Sequence, residues 1–256
     1  MTIGAQLYTV RDFLRTPEEI AESLKKVAAI GYKTVHCSKL GPIDPRHLRD
    51  LLDANGLTCE ITHIDPERLL QDIAGVIEEH RVLGCEDIGM SMMPERYRGS
   101  LDGLRALVRD YQPIAQTIRD AGMRFHYHNH DVEMIREGGR TLMEILLEEL
   151  PDTYLLLCAF WLQVGGGNPI EWLHRYAGRI RVVHLKDMAV LPGATSVGKN
   201  RMMKPVLEGN MDYRGIIEAC RETGVPYLMV EQDECEGDPF EALAISFRNL
   251  HSLGLC

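Results

Sequence analysis

The sequence is poor in the features that mark several classes of protein. No block of lysines and arginines occurs, and 28 basic residues face 38 acidic ones, for a formal net charge of −10. Because this charge repels phosphate backbones and anionic bilayers, neither nucleic acid nor membrane is an expected partner. No apolar run approaches the ~20 residues needed to span a bilayer. The first residues, MTIGAQLYTV, lack the basic and apolar regions of a signal peptide. The sequence therefore predicts a soluble, cytoplasmic protein.

Paired cysteine spacings are also absent. The seven cysteines are odd in number and include no CxxC pair; they are Cys37, Cys59, Cys85, Cys158, Cys220, Cys235 and Cys256. Such a set is typical of free thiols in a reducing compartment. A chain of 256 residues buries roughly three quarters of its unfolded surface, so it needs neither disulfide nor metal to fold. With no linker or low-complexity tract, we expect a single domain over residues 1–256.

What the sequence does contain is a regular alternation of short apolar runs and amphipathic stretches. The runs predict eight strands: Ile3–Tyr8, Thr34–Cys37, Thr58–His63, Asp87–Met90, Arg124–His128, Tyr154–Cys158, Arg181–Leu185 and Tyr227–Val230. The stretches predict helices near 17–30, 45–55, 66–82, 101–121, 140–149, 169–177, 213–222 and 239–252. Pairs such as Thr16-Pro17 place a capping side chain and a proline at a helix start. No GxGxxG follows the first strand, which disfavours an open dinucleotide-binding sheet. The pattern predicts an α/β fold, a single (β/α)8 TIM barrel with eight parallel strands.

Ionisable side chains gather where the predicted strands end. In a barrel of this kind, active residues lie at the carboxyl ends of strands and in the loops that follow them. The residues at these positions are Gln6, His36, His63, His126, His128, His130, Cys158, His184, Lys186, Asp187, Glu231 and Asp233. We therefore predict a functional site at this end rather than a set of unrelated structural charges.

Several of these residues have two readings from the sequence. The alternation of His126, His128 and His130 predicts three imidazoles on one face of a strand, suited to metal binding, base catalysis or hydroxyl binding. For His126 and His130 the alternative is a hydrogen bond to a neighbouring loop. His184 and Glu231 lie at matching positions one strand apart, which suits a shared metal or a shared substrate.

Two basic features also have alternatives. Lys186 either contributes to the site or pairs with its chain neighbour Asp187. Lys199, Arg201 and Lys204 lie in the longest segment without a predicted helix. They either close over an anionic substrate or form part of a solvated loop.

Five segments together resemble the xylose isomerase-like sugar isomerase/epimerase superfamily. They are QLYTVRD, YHNHDVE, FWLQVGGGNP, VVHLKDM and VEQDE, in that order over nearly the whole chain. The resemblance implies a TIM barrel whose mouth binds one divalent ion, often manganese. In such enzymes the ion polarises a keto-sugar while an acid/base residue moves a proton beside the carbonyl.

The same resemblance implies four metal ligands, from the fifth to the eighth strand. They correspond to His128, Cys158, His184 and Glu231. The family usually has an aspartate where this chain reads LCAFW, with Cys158 at the ligand position. A thiolate in place of a carboxylate shifts the expected metal from manganese towards zinc. The alternative is weak metal binding or none.

Roles follow for the remaining residues of the predicted site. We predict that Glu231 is the catalytic base, that His128 holds the metal at the reacting carbonyl, and that Lys186 is the electrophile if no metal binds. The predicted substrate-binding residues are Gln6, His63, Glu133 and Trp161.

Three functions remain open at this point. The first is a sugar isomerase or epimerase acting on a keto-sugar or related polyol. The second is a dehydratase or lyase acting on inositol ketones or 3-keto-glycosides. The third is a sugar-binding barrel that has lost metal and catalysis. A DNA-repair nuclease with the same barrel is disfavoured because this chain is acidic. The expected partner is a small sugar, and self-association into a homo-oligomer is left open.

Overall fold

Eight parallel strands close into a barrel in the computed structural model, which describes residues 1–193 and 200–256. We number them in chain order, and their sequence around the barrel is β1-β8-β7-β6-β5-β4-β3-β2. This arrangement confirms the predicted TIM barrel. The strands are β1 Thr2–Gln6, β2 Thr34–Cys37, β3 Thr58–Ile64, β4 Asp87–Met90, β5 Arg124–His128, β6 Tyr154–Cys158, β7 Val182–Leu185 and β8 Tyr227–Val230.

Helices lie between and after the strands. In the described residues they are α1 Pro17–Ile30, α2 Pro45–Ala54, α3 Pro66–Gln71, α4 Ile73–Leu83, α5 Leu101–Asp120, α6 Leu142–Glu149, α7 Ala159–Val164, α8 Pro169–Arg175, α9 Tyr213–Glu222 and α10 Pro239–His251. The predicted caps form: the Thr16 hydroxyl accepts from the Glu19 N–H at 3.3 Å before Pro17 begins α1. No helix in this described part of the chain is long and apolar enough to cross a membrane.

Several elements begin or end one or two residues from the predicted positions, and three differences have a clear local basis or add an element. The first strand ends at Gln6 rather than Tyr8, because the Gln6 side chain accepts from the Tyr8 N–H at 2.6 Å and caps a 3-10 helix, Leu7–Phe13. The helix predicted over 66–82 is two helices, since Asp72 caps the second by accepting from the Gly75 N–H at 3.1 Å. The short helix α7, directly after β6, was not predicted.

The barrel interior is layered along its axis. A small apolar cluster of Ile61, Leu156, Val182 and Met229 fills the middle, and all four side chains are fully buried. The larger core lies outside the strands, under the helices. The predicted site lies above the middle cluster, at the carboxyl ends of the strands, as TIM barrels place it.

A charged cluster occupies the opposite, amino-terminal end of the barrel. Asp87, at the start of β4, contacts Arg124 Nε at 2.6 Å and His126 Nε2 at 2.6 Å. The His126 ring also stacks on Tyr154, with centroids 5.2 Å apart. His126 therefore lies away from the mouth and not beside His128, so the prediction of three histidines at one site was wrong for this residue.

An excursion follows β7, where the sequence predicted no helix. Asp187–Val190 pairs antiparallel with Arg201–Lys204. The Asp187 carboxylate accepts backbone N–H groups of Met188, Leu207, Gly209 and Met211 at 2.8 to 3.2 Å. Asp187 thus holds together the two ends of this segment. The alternative in which Asp187 pairs with Lys186 is not what the structure shows.

The three basic residues of this excursion have different surroundings. Lys204 forms an ion pair with Glu236, and Arg201 is exposed. Lys199 lies outside the described residues, so its two alternatives, closure over an anionic substrate or a place in a solvated loop, both stay open.

Candidate active site and metal centre

A cavity of about 630 Å³ opens at the carboxyl ends of the strands, and we call it the mouth cavity. Its walls come from several strands and the loops that follow them. Residues that line it include His63, His128, His130, Trp161, Lys186, Glu231 and Asp233. The volume falls in the usual range for a small-molecule site.

A buried ion-pair network lies at one side of the mouth cavity. Lys186 Nζ lies 2.9 Å from Glu231 Oε2 and 2.9 Å from Asp233 Oδ1. Gln6 Nε2 donates to the other Glu231 oxygen at 3.1 Å. Burial alone would lower the pKa of Lys186, but the Glu231 carboxylate, together with Asp233, outweighs burial and raises it. Lys186 is therefore a fixed cation and not a base, and it holds Glu231 in place.

Four imidazoles lie next to this network. The rings of His36, His63, His128 and His184 lie with neighbouring centroids 4.2 to 4.9 Å apart. Burial, followed by neighbouring histidines or Lys186, lowers the pKa of each ring well below its usual value. The four rings are therefore neutral at pH 7 and carry lone pairs that can accept a proton or bind a metal.

The tautomer of His128 follows from its surroundings. His128 Nδ1 lies 3.1 Å from the Ser91 carbonyl, which can only accept, so Nδ1 carries the hydrogen. His128 Nε2 is buried and has no hydrogen-bond partner among the described residues. A histidine whose far nitrogen donates to a carbonyl is the usual form of a metal ligand.

Cys158 ends β6 and is fully buried. Its N–H donates to the Asn129 side-chain oxygen at 2.8 Å, and the Asn129 amide donates back to the Cys158 carbonyl at 3.3 Å. Burial raises the pKa of the Cys158 thiol to about 12. The thiol is therefore protonated unless a metal displaces its proton.

Three of the four predicted metal ligands lie together, and the fourth contacts one of them. One ligand atom each from His128, Cys158 and His184 lies within 4.8 Å of the others, and His184 Nδ1 is 2.8 Å from Glu231 Oε2. Two nitrogens, a sulfur and a carboxylate fit a tetrahedral zinc site better than a magnesium or manganese site. The residues therefore fit a divalent ion, and we call this set the mouth site.

The predicted substrate-binding residues do not all reach the mouth cavity. His63 and Trp161 line it, and Lys186 Nζ lies 5.9 Å from the Trp161 ring centroid. Glu133 is not among the lining residues. Its buried carboxylate accepts from the Tyr127 hydroxyl and from the His130 N–H, each at 2.7 Å. Its predicted contact with a substrate hydroxyl stays a prediction.

Sequence reasoning gave no role to three residues of the site. Asp233 completes the clamp on Lys186, Asn129 holds the backbone of Cys158, and Ser91 orients His128. The sequence did signal Asp233, by its position after the eighth strand, and Asn129, by its position directly after His128. Contacts between neighbouring strands, such as that of Ser91, leave no pattern along the chain.

A second cavity, of about 490 Å³, lies beside the first. It shares Ser38, Lys39, His63, Asp65 and Ser91 with the mouth cavity, and its other lining residues include the apolar Leu40, Ile43 and Leu48. The Lys39 backbone has φ of 56°, in the left-handed region that non-glycine residues seldom adopt. This strained residue therefore stands between the two cavities.

Comparisons with known proteins agree with the barrel fold. The chain is 24% identical to an inosose dehydratase of Lacticaseibacillus casei, over 86% of this chain and 85% of that protein. A sugar phosphate isomerase/epimerase from Parabacteroides distasonis has a similar structure, with a TM-score of 0.80, 19% identity, and coverage of 98% and 93%. The structure of the IOLI protein with a bound zinc atom matches with a TM-score of 0.75 at 14% identity, over 99% and 98% of the two chains. The family model for the xylose isomerase-like TIM barrel matches residues 24–250, and the chain therefore belongs to that family.

Proposed function

We propose that this protein is a dehydratase of keto-polyols, a lyase that removes water from a cyclic or sugar ketone. The observation that carries the proposal is the Glu231 carboxylate, held between Lys186 and Gln6 at the edge of a polar cavity. The similarity of this chain to an inosose dehydratase favours loss of water over isomerisation. These two observations place the dehydratase function ahead of the isomerase or epimerase function, which reverses the order predicted from the sequence.

The proposed reaction begins at the carbon beside the ketone. Glu231 removes the proton from this carbon, and the electron pair of the C–H bond moves towards the carbonyl oxygen. The Lys186 ammonium lies close enough to the same carboxylate to stabilise the negative charge on that oxygen. Asp233 keeps the ammonium in position during the step.

The second step expels a hydroxyl group from the next carbon. The electron pair returns to form a C=C bond while the C–O bond breaks. The Glu231 carboxylic acid gives its new proton to the leaving hydroxyl, so water leaves and the carboxylate is restored. One residue thus serves as base and acid on the same face of the substrate.

A divalent ion would assist this chemistry as a Lewis acid at the ketone oxygen. His128, Cys158, His184 and Glu231 would hold it. The chemistry of these donors favours zinc. The neutral ring of His63 lines the same cavity and would bind a substrate hydroxyl.

Epimerisation is the second candidate, and the position of His63 favours it. His63 comes from β3, three strands around the barrel from β8, after which Glu231 stands. Inversion at a carbon needs a proton taken from one face and returned to the other, and two groups so placed could do this.

Product analysis separates the candidates. The purified protein would be incubated with 2-keto-cyclitols and 3-keto-glycosides, with and without zinc or manganese, and the products analysed by mass spectrometry. A dehydratase removes one water, an epimerase conserves mass, and a sugar-binding protein returns the substrate unchanged.

A substitution at Glu231 tests the assigned base. Glu231→Gln keeps the size of the side chain and removes its charge, so we expect turnover to fall by at least a factor of about 100 while the fold is kept. Glu234→Gln, on an exposed neighbour in the same loop, is the matched control and should keep full activity. Activity retained by Glu231→Gln would contradict the assignment.

A further inference from the structure

A second group of possible ligands lies beside the mouth site, and one of its members, His36, has no role in the proposed reaction. His36, His63 and His184 each offer a ring nitrogen, and these atoms lie within 4.8 Å of one another. They come from β2, β3 and β7, whereas the mouth site uses residues of β5 to β8. We call these three residues the tris-histidine group.

The contact between two of the rings already has the spacing of a metal site. His184 Nε2 lies 3.0 Å from His36 Nδ1. A tetrahedral zinc ion with Zn–N distances of about 2.1 Å separates its nitrogens by about 3.4 Å. An ion can therefore replace the shared hydrogen between these rings with a shift of only a few tenths of an ångström.

The third ring of the group, His63, also offers a nitrogen that can bind an ion. His63 Nε2 is buried without a hydrogen-bond partner among residues 1–193 and 200–256. An unsatisfied buried polar atom is costly, and a native structure seldom keeps one without a reason. Such an atom in His63, whose ring centroid lies 4.2 Å from that of His36, indicates a nitrogen available to an ion beside His36.

The two groups use opposite edges of the shared ring. His184 faces His36 through Nε2, at 3.0 Å, and faces Glu231 through Nδ1, at 2.8 Å. Loss of the sulfur or carboxylate ligand from the mouth site therefore leaves the Nε2 edge unchanged. Glu231 is in addition already paired with Lys186, whereas no cation contacts His36 or His63 in the described residues.

We propose that His36, His63 and His184 form a second transition-metal site, a tris-histidine site with an open fourth position. Three neutral nitrogen ligands favour zinc, cobalt, nickel or copper over magnesium and calcium. An ion there keeps its full positive charge, because no ligand is anionic, and it would bind hydroxide or an anionic oxygen at the fourth position. The proposal is independent of the proposed dehydratase activity.

The experiment uses cobalt(II) as the probe, on the full chain after treatment with a chelator. Tetrahedral cobalt gives visible absorption bands, and a thiolate ligand adds a charge-transfer band in the near ultraviolet. The double variant Cys158→Ser/Glu231→Gln removes two ligands of the mouth site. We expect it to bind one equivalent of cobalt with visible bands and no thiolate band.

Further substitutions in the double variant locate the ion. His36→Gln or His63→Gln should each weaken cobalt binding at least about tenfold, since even loss of a residue that only supports a ligand costs 10- to 100-fold. His174→Gln, on a half-exposed histidine outside the cluster, is the matched control and should leave binding unchanged. Near-ultraviolet circular dichroism checks that each variant is folded.

Two outcomes would overturn the proposal: a folded double variant that binds no cobalt, or equal affinity with and without His36 and His63. The result does not depend on turnover. A protein that dehydrates its substrate but fails this titration refutes only the second site, and one that binds cobalt but converts no substrate refutes only the proposed function.

Discussion

Replacement of Cys158 by aspartate is the perturbation that tests the mouth site most directly. The Cys158 side chain is fully buried, so the variant places a carboxylate in a site without solvent. Lys186 cannot neutralise it without leaving Glu231 and Asp233, each 2.9 Å away. A buried carboxylate without a partner costs about 3 kcal/mol of unfolding free energy. For a chain of this size that lowers the melting temperature by about 6–12 °C.

A bound ion should reverse this loss. The aspartate supplies the hard oxygen ligand that manganese prefers over sulfur. Manganese at 100 times its dissociation constant adds about 2.7 kcal/mol, which restores nearly all of the lost stability. We therefore expect the melting temperature of the Cys158→Asp protein to be lowered without metal and restored by manganese. The melting temperature of the wild-type protein should rise more with zinc than with manganese.

Thermal melts followed by circular dichroism, with chelator, zinc or manganese, measure both effects. Cys220→Asp is the matched control, because Cys220 is equally buried but lies on α9, outside the site. It should lose stability and gain nothing from manganese. A Cys158→Asp protein that melts like the wild type and ignores manganese would show that the site does not hold a metal through this position.

Two further predictions concern buried charges. Lys186→Met leaves Glu231 and Asp233 without their cation, so we expect the unfolding free energy at pH 7 to fall by about 3–5 kcal/mol. Burial, followed by the Glu231 charge, raises the pKa of Asp233, so protonation of Asp233 at lower pH relieves part of this cost. Urea denaturation should therefore show a smaller loss at pH 5, and equal losses at both pH values would contradict this. Burial raises the pKa of Asp87, but His126 and Arg124 outweigh burial and lower it below its ordinary value. Its contribution is therefore present above about pH 4 and lost as the pH falls further. Asp87→Asn should lower the unfolding free energy by about 2 kcal/mol at pH 7. It should also make the unfolding free energy fall less steeply between pH 4 and pH 2. An unchanged slope would count against the assigned pairing.

The fold could be predicted because its signals are local. Thr34–Cys37, Asp87–Met90 and Tyr227–Val230 match the predicted strands at both ends, since β-branched and apolar runs between glycines and capping pairs determine them. The end of β1 was predicted wrongly because the Gln6 side chain, and not hydrophobicity, begins the next helix.

The site was harder to predict because its contacts join distant parts of the chain. Neighbouring residues point in opposite directions when the chain is extended, which is why Lys186 and Asp187 face different partners. A period of two places His126 and His128 on the same face but does not give their depth along the barrel axis. The catalytic, substrate-binding and metal roles remain predictions, as do the single domain over residues 1–256, the cytoplasmic location and self-association.

The hydrogen bonds to the Asp187 carboxylate separate the barrel strand β7 from the segment that follows it, so the two can change independently. Leu207, Gly209 and Met211 return the chain to the same point at which it left the barrel, and a Cβ atom on Gly209 would lie only 2.1 Å from Asp187 Oδ1. His184 and Lys186 are therefore anchored whatever the length of chain between the paired strands. That stretch can gain or lose residues in evolution, or accept a grafted loop, while the positions of His184 and Lys186 are kept. New substrate preferences can thus arise in this enzyme family without a new barrel.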